Sequence, residues 1–193
     1  MHKSKLEVRK QEIILQFEAY RHGVRVMFLI HRNKEGGHTN NTKLEKLVST
    51  NPEEWEKNLE RLLALKDASP EPLRIYASVN PRNTNKAIRT FKENQLSNDY
   101  DSNPHNFYYD IRNRFISALM KPYNRQGTRF LYDLDTEEEY DTVVREVRRA
   151  GKVIYDMFPT KNGRHLITEA FNPALTPEGQ KHLSKDGLLL LEW

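Results

Sequence analysis

The stretch Arg129–Gly151, RFLYDLDTEEEYDTVVREVRRAG, decides the predicted fold, because a strand pattern runs directly into a helix pattern. Residues 129–135 predict a strand with an apolar centre and charged residues at its start and near its end. Side chains alternate between the two faces of a strand, so Asp133 and Asp135 share one face and Leu134 lies on the other. Ionised side chains are costly to bury, so this face either opens to water or meets a positive charge.

The helix that follows this strand has a marked start and a marked end. Thr136 and Glu139 have the spacing of a capping box, and Gly151 ends the helix. Its apolar residues recur at helical spacing and predict one face that packs against the strand: Tyr140, Val143, Val144 and Val147.

The remaining C-terminal segments continue the alternation of strands and helices. A strand is predicted at 152–158, a turn at 159–163, a strand at 164–171, a short helix within 172–183 and a last strand at 187–193. The order β-α-β-β-α-β is that of ferredoxin-like and RNA-recognition-motif-like domains. We therefore predict an α+β fold with an RNA-recognition-motif-like catalytic core at 129–193.

Residues 1–128 predict an N-terminal α/β lobe that forms one compact unit with this core. A helix is expected at 6–20, and a strand at 24–30. Asn51, with Pro52 after it, has the pattern of a helix cap, and a strand at 73–80 is broken by a proline.

The predicted topology brings residues that are distant in sequence to one end of the core sheet. Right-handed crossovers would place the third and fourth strands on either side of the first, both antiparallel to it. The end of the first strand would then meet the starts of the other two. The residues that would converge there are Asp133, Asp135, Arg164, His165, Lys185 and Asp186.

The chemistry of this set favours a metal and phosphates. The chain has no cysteine, so a metal would be held by oxygen or imidazole, which favours magnesium, manganese or calcium. A neighbouring imidazole and guanidinium suit phosphate groups. The turn TKNG would add backbone N–H groups, with Lys161 and Asn162 as further nucleotide contacts. A metal site beside a set of phosphate-binding groups is the arrangement that nucleotidyl transfer requires.

These residues resemble a known family. FLYDLDT (130–136) resembles the first motif of archaeo-eukaryotic primases and primase–polymerases, and PTKNGRHLI (159–167) resembles their second motif. The resemblance implies an RNA-recognition-motif-like core in which Asp133 and Asp135 bind catalytic Mg²⁺ or Mn²⁺ and His165 contacts the nucleoside triphosphate. Arg164 and Lys161 would assist on the phosphates.

The third family motif, an acid near a later strand, has two candidates. Asp186 precedes the last strand and is favoured by the antiparallel geometry, whereas Glu192 would lie at the far end. The resemblance also implies that Arg82 and Lys86 face a single-stranded nucleic-acid template or a phosphate. The small size suggests a minimal primase-like protein of a virus, such as a phage, or of a plasmid, acting in DNA replication or repair with a helicase or other replication protein.

Other interpretations of the same residues remain open. Asp135 could cap the following helix together with Thr136, and His165 could be a packed strand residue. A metal-dependent nuclease could use the same carboxylates without needing a triphosphate. A non-catalytic, primase-derived or RNA-recognition-like module would bind nucleic acid without metal, and such binding would survive chelation and loss of both aspartates.

Composition sets wider limits. The chain has 193 residues, a net charge of +4 and a pI of about 9.2, which is compatible with a polyanionic partner but does not require one. No apolar run approaches membrane-spanning length, and the N-terminus has no apolar signal core. We therefore expect no membrane partner and a cytoplasmic location, in the host cytoplasm if the source is viral.

Overall fold

The computed structural model describes residues 5–20, 23–31, 42–97, 104–160, 162–172 and 180–192. These residues form an α+β protein with two antiparallel sheets and five α-helices within the described ranges. The helices are α1 (Lys5–Ala19), α2 (Pro52–Asp67), α3 (Thr84–Ser97), α4 (Pro104–Leu119) and α5 (Glu137–Arg149). The strands are β1 (Gly23–His31), β2 (Thr42–Ser49), β3 (Leu73–Ser78), β4 (Arg82–Asn83), β5 (Arg129–Leu134), β6 (Ile154–Pro159), β7 (Arg164–Glu169), β8 (Leu183–Ser184) and β9 (Leu188–Glu192).

The first sheet has the strand order β2-β1-β3-β9, and the two-residue β4 also pairs with the start of β1. Helices cover both of its faces. Ile13 of α1 and Trp55 of α2 belong to the apolar core on one face, and Ala87 of α3 and Leu119 of α4 to the core on the other. Burial on both faces explains why β1, GVRVMFLIH, is apolar in nearly every position rather than alternating.

The predicted start of α2 is confirmed. The side chain of Asn51 accepts a hydrogen bond of 2.8 Å from the backbone N–H of Glu54, and Pro52 occupies the first helical position. The carboxylate of Glu54 turns back to the backbone N–H and hydroxyl of Thr50 instead of to the cap residue.

The second sheet has the strand order β6-β7-β5-β8. Tyr132 and Leu134 of β5 pack with Val143 and Val147 of α5 on one face. The opposite face joins the core of the first sheet, to which it contributes Leu131, Phe158 and Ile167. The two sheets therefore share one apolar core, and the face of β5 that carries Asp133 is turned toward the first sheet.

The position predicted for the last strand is wrong. β9 does not lie beside β5; it pairs antiparallel with β3 of the first sheet, with Tyr76 opposite Leu190. The short β8 takes the place beside β5. The physical reason lies in the run Leu188–Leu191, which is apolar on both faces: Leu189 and Leu191 enter the shared core, while the other face forms a cleft wall described below. The ferredoxin-like strand order is thus not formed.

Hydrogen bonds link the two predicted parts of the chain on both sides of position 128. The side-chain amide of Asn80 donates to the carbonyl of Arg129 at 2.8 Å and accepts from its N–H at 2.7 Å. The N–H of Val79 donates to the carbonyl of Gly187 at 3.1 Å. Within the described residues, no helix has the length and apolar character needed to cross a membrane.

Candidate functional site

A pocket of about 290 Å³ is lined by residues of both sheets. The second sheet and its loops contribute one wall, which is polar, and strands β3 and β9 contribute another, which is largely apolar. Among the predicted site residues, it contains the two aspartates, the histidine and the asparagine of the turn. The lining residues are Arg74, Tyr76, Leu131, Asp133, Asp135, Thr160, Asn162, His165, Ser184, Gly187, Leu188 and Leu190.

The predicted arrangement of the two aspartates is confirmed. Asp133 and Asp135 are exposed, and Leu134 between them is buried against α5. Asp133 lies directly opposite His165 in the antiparallel register of β5 and β7. The aspartates, the histidine and Leu131 therefore share the face of the second sheet that looks toward the first sheet.

The side chains of Thr136 and Glu139, rather than that of Asp135, cap α5. The hydroxyl of Thr136 accepts the N–H of Glu139, and the Glu139 carboxylate accepts the N–H groups of Thr136 at 3.2 Å and of Asp135 at 2.9 Å. These bonds satisfy the first turn of the helix and hold the backbone of Asp135. The Glu139 carboxylate has a lowered pKa chiefly because it accepts the Asp135 N–H. The Asp135 carboxylate lines the pocket instead.

His165 is held by Asp133 and retains one unused nitrogen. Its Nε2 lies 3.3 Å from Oδ1 of Asp133; the histidine side chain is 7% exposed, whereas that of Asp133 is 69% exposed. Nδ1 is buried and makes no hydrogen bond within the described residues. Because an unpaired buried nitrogen is costly, His165 is suited to a further contact with a ligand.

The hairpin between β6 and β7 approaches the end of β5 closely. The N–H of Thr160 donates to the carbonyl of Gly163 at 2.8 Å, and the N–H of Gly163 donates to the Thr160 hydroxyl at 3.0 Å. A Cβ at position 163 would overlap the carbonyl oxygen of Leu134, so only glycine fits. This approach places Thr160 and Asn162 beside the aspartates. Lys161, a predicted nucleotide contact, lies outside the described residues.

Arg164 lies on the opposite face of β7 from His165. Its guanidinium forms an ion pair of 2.6 Å with Glu137 and lies 4.7 Å from the ring centre of Tyr140 on α5. It also contacts the sulfur of Met157. Arg164 therefore braces α5 against the sheet and is not one of the residues that line the pocket.

Asp186 is also directed away from the pocket. Its Oδ2 lies 2.7 Å from Nη1 of Arg82, whose side chain is fully buried. Arg25 is buried nearby and donates to the carbonyls of Ser78 and Val79 at 3.0 and 2.8 Å. Burial and the positive charge of Arg82 lower the pKa of Arg25 to about 9. Asp186 thus balances a buried positive cluster, and moving it to a metal would remove the negative charge that lies beside Arg82.

The predicted template contacts fall in different environments. Arg82 is fully buried, so it would reach a phosphate only after rearrangement. Lys86 is exposed in the first turn of α3, where Asn83 accepts its backbone N–H at 2.9 Å.

Two further predicted site residues lie outside the pocket lining. Lys185 is exposed beside the pocket, and its carbonyl accepts a bond of 2.8 Å from Arg125. Glu192, the alternative third acid, ends β9 opposite Ile75.

Several pocket residues were not predicted from the sequence: Arg74, Tyr76, Ser184, Leu188 and Leu190. Ser184 reaches the site because β8 pairs with β5. The other four reach it because β9 pairs with β3, a contact between segments more than a hundred residues apart. One sequence pattern bears on these residues. In LRIYAS, residues 73–78, polar or aromatic residues alternate with aliphatic ones, which places Arg74 and Tyr76 on the same face of the strand.

The donor set fits a hard divalent cation without forming a complete cage. Two carboxylates on one face, with an imidazole beside them, match the oxygen and nitrogen ligands of Mg²⁺ or Mn²⁺. Within the described ranges, however, no group of three or more histidine, aspartate or glutamate residues is arranged around a common metal position. Mg²⁺ usually takes one or two protein carboxylates and completes its shell with water and substrate phosphates.

Comparison of the chain with protein-family models, with curated proteins and with solved structures found no match.

Proposed function

We propose that the protein is a metal-dependent nucleotidyltransferase of the primase or primase–polymerase type. The observation that supports this most strongly is the grouping of Asp133, Asp135, His165 and Asn162 around one pocket. These residues come from the two motifs that resemble the archaeo-eukaryotic primase family.

Each pocket residue has a role in this proposal. Asp133 and Asp135 would supply the oxygen ligands of Mg²⁺ or Mn²⁺, and their exposure leaves room for a substrate to complete the shell. A bound cation would act as a Lewis acid toward the α-phosphate and lower the barrier to attack by a 3′-hydroxyl, which would break the bond to the β-phosphate and release pyrophosphate. His165 would donate to a phosphate oxygen, and Asp133 fixes the orientation of its ring. Asn162 and Thr160 would orient the triphosphate from the hairpin.

The wider partners follow from this activity. A single-stranded template would run past the open side of the pocket, and the exposed Lys86 would contact its phosphates. Action in DNA replication or repair, with a helicase or other replication protein in the cytoplasm of a host cell, belongs to the same proposal.

The test is template-dependent incorporation of a labelled nucleoside triphosphate in the presence of Mg²⁺ or Mn²⁺. Wild type should extend or begin a strand, and Asp133→Asn/Asp135→Asn should lose activity at least a hundredfold while keeping its melting temperature. Asp141→Asn, which changes an exposed acid of α5, is the matched control and should behave as wild type. Cleavage of the template without any need for a triphosphate would instead show a nuclease.

A non-catalytic module is the second candidate, and the Asp186–Arg82 ion pair favours it. Because Arg82 engages Asp186, the pocket contains only two acids among its described residues. Such a module would bind single-stranded nucleic acid equally well with and without a chelator, and the double aspartate variant would bind as wild type does.

A further inference from the structure

Two arginines that were predicted to contact phosphates or a template form ion pairs in other parts of the described structure. Arg164 pairs with Glu137 on the α5 face, and Arg82 pairs with Asp186 beneath the surface. Neither arginine lines the pocket that contains Asp133 and Asp135. Lys161, the other cation predicted to contact the triphosphate, lies outside the described residues. A site for a polyanion with two carboxylates needs compensating positive charge, from a metal, from the protein or from both.

Arg74 provides such a charge from the other sheet. It is the only lysine or arginine among the described residues that line the pocket, and it is 8% exposed. On β3 it shares a face with Tyr76, two residues on, which also lines the pocket. In the register of β3 and β9, Tyr76 lies opposite Leu190 and Ile75 opposite Glu192, so Arg74 stands at the end of the apolar wall near the C-terminus of β9.

The surroundings of Arg74 suit recognition of a phosphate. A guanidinium in a partly enclosed pocket is less screened by water than one on an open surface, so its attraction for an anion is larger. Its planar fork can donate two parallel hydrogen bonds to one phosphate, which an ammonium group cannot do. The aspartates and the histidine, on the facing sheet, leave the two walls with complementary charge.

We propose that Arg74 is the residue that binds the phosphate chain of the nucleotide, through a two-pronged contact made across the cleft from Asp133 and Asp135. The ligand class is a polyphosphate anion, and the site is divided between the two sheets. Tyr76, Leu188 and Leu190, on the same wall, would contact the less polar part of the ligand. This inference rests on the proposed function, since it assigns the phosphate position of the same pocket.

The experiment measures Mn²⁺ alone, and then inorganic tripolyphosphate with Mn²⁺, by calorimetric titration of the full chain. Arg74→Gln should bind tripolyphosphate at least tenfold more weakly and bind Mn²⁺ as well as wild type or better. Arg74→Lys should lose at least threefold, because the two-pronged contact is gone. Arg61→Gln is the matched control, since it removes the same charge from an exposed residue of α2 that is paired with Glu45 and does not line the pocket. It should leave both affinities unchanged.

The outcomes separate this inference from the proposed function. Wild-type tripolyphosphate affinity in Arg74→Gln would overturn the role of Arg74, and so would an equal loss of Mn²⁺ binding. If Arg74→Gln does not fold, Arg74→Lys decides, and wild-type affinity in that variant would overturn the proposal. Tripolyphosphate binding that depends on Arg74 in a protein that makes no primers would support the inference and refute the transferase.

Discussion

Replacing Asp186 by asparagine tests whether this acid is a structural ion-pair partner or a metal ligand. In the structure Asp186 lies 2.7 Å from the fully buried Arg82, and Arg25 adds a second buried positive charge. Removing one partner of a buried ion pair costs about 3–5 kcal/mol. Because the Asp186 side chain is 16% exposed, we take the lower end, a loss of about 3 kcal/mol in the free energy of unfolding.

For a chain of this size, 1 kcal/mol corresponds to about 2–4 °C, so Asp186→Asn should melt about 6–12 °C below wild type. Thermal unfolding followed by circular dichroism measures this. Arg82→Met/Asp186→Leu, which removes both partners, should recover most of the loss, since an apolar pair of similar volume is often as stable as a buried ion pair. Asp141→Asn is the exposed control and should melt as wild type does.

An Asp186→Asn variant with the melting temperature of wild type would contradict a structural role for the ion pair. A second contradicting result would be wild-type stability together with a tenfold loss of Mn²⁺ affinity. That result would make Asp186 the third metal-binding acid that the sequence predicted, released from Arg82 when the ligand binds.

Four further variants test the positions around the pocket. Thr136→Ala should lose about 1 kcal/mol in chemical denaturation, because it removes the helix cap, whereas Asp135→Ala should change stability by less than about 0.5 kcal/mol; equal losses would return a capping role to Asp135. Gly163→Ala should lose about 1–3 kcal/mol, because its Cβ would overlap the carbonyl of Leu134, and wild-type stability together with unchanged nucleotide binding would contradict the close approach. Burial raises the pKa of Tyr132 to about 12, so the unfolded chain releases this proton first and wild-type stability should fall as pH rises from 10 to 12. Tyr132→Phe should show a shallower fall and equal or greater stability at pH 7, since the hydroxyl is buried without a hydrogen bond within the described residues; a large loss at pH 7 would show that the hydroxyl has a partner.

The parts of the structure that depend on local sequence could be predicted. The capping box at Thr136, the shared face of Asp133 and Asp135, and the β6–β7 hairpin all follow from periodicities and turn residues within a few positions of one another. The placement of Asp133 and His165 at the same end of the sheet followed from placing two antiparallel strands side by side, and the structure shows them directly opposite each other.

The parts of the structure that depend on contacts between segments distant in sequence could not be predicted. Residues 188–191 are aliphatic throughout, so their sequence predicts a strand buried on both faces but does not say which sheet it joins. β2 was not predicted, because TKLEKLVS mixes lysines with apolar residues as an exposed edge strand does. The inward position of Arg74 and the buried pairing of Arg82 both follow from how the sheets pack, which no local pattern specifies.

The central claim is that Asp133 and Asp135 share a face because they hold a divalent cation against a nucleotide. Calorimetric titration of a nucleoside triphosphate in Mn²⁺, with wild type and with Asp133→Asn/Asp135→Asn, tests it most directly. We predict binding by wild type that a chelator abolishes and that the double variant loses at an unchanged melting temperature. Absence of binding by wild type, or binding that neither chelation nor the substitutions affect, would contradict the claim.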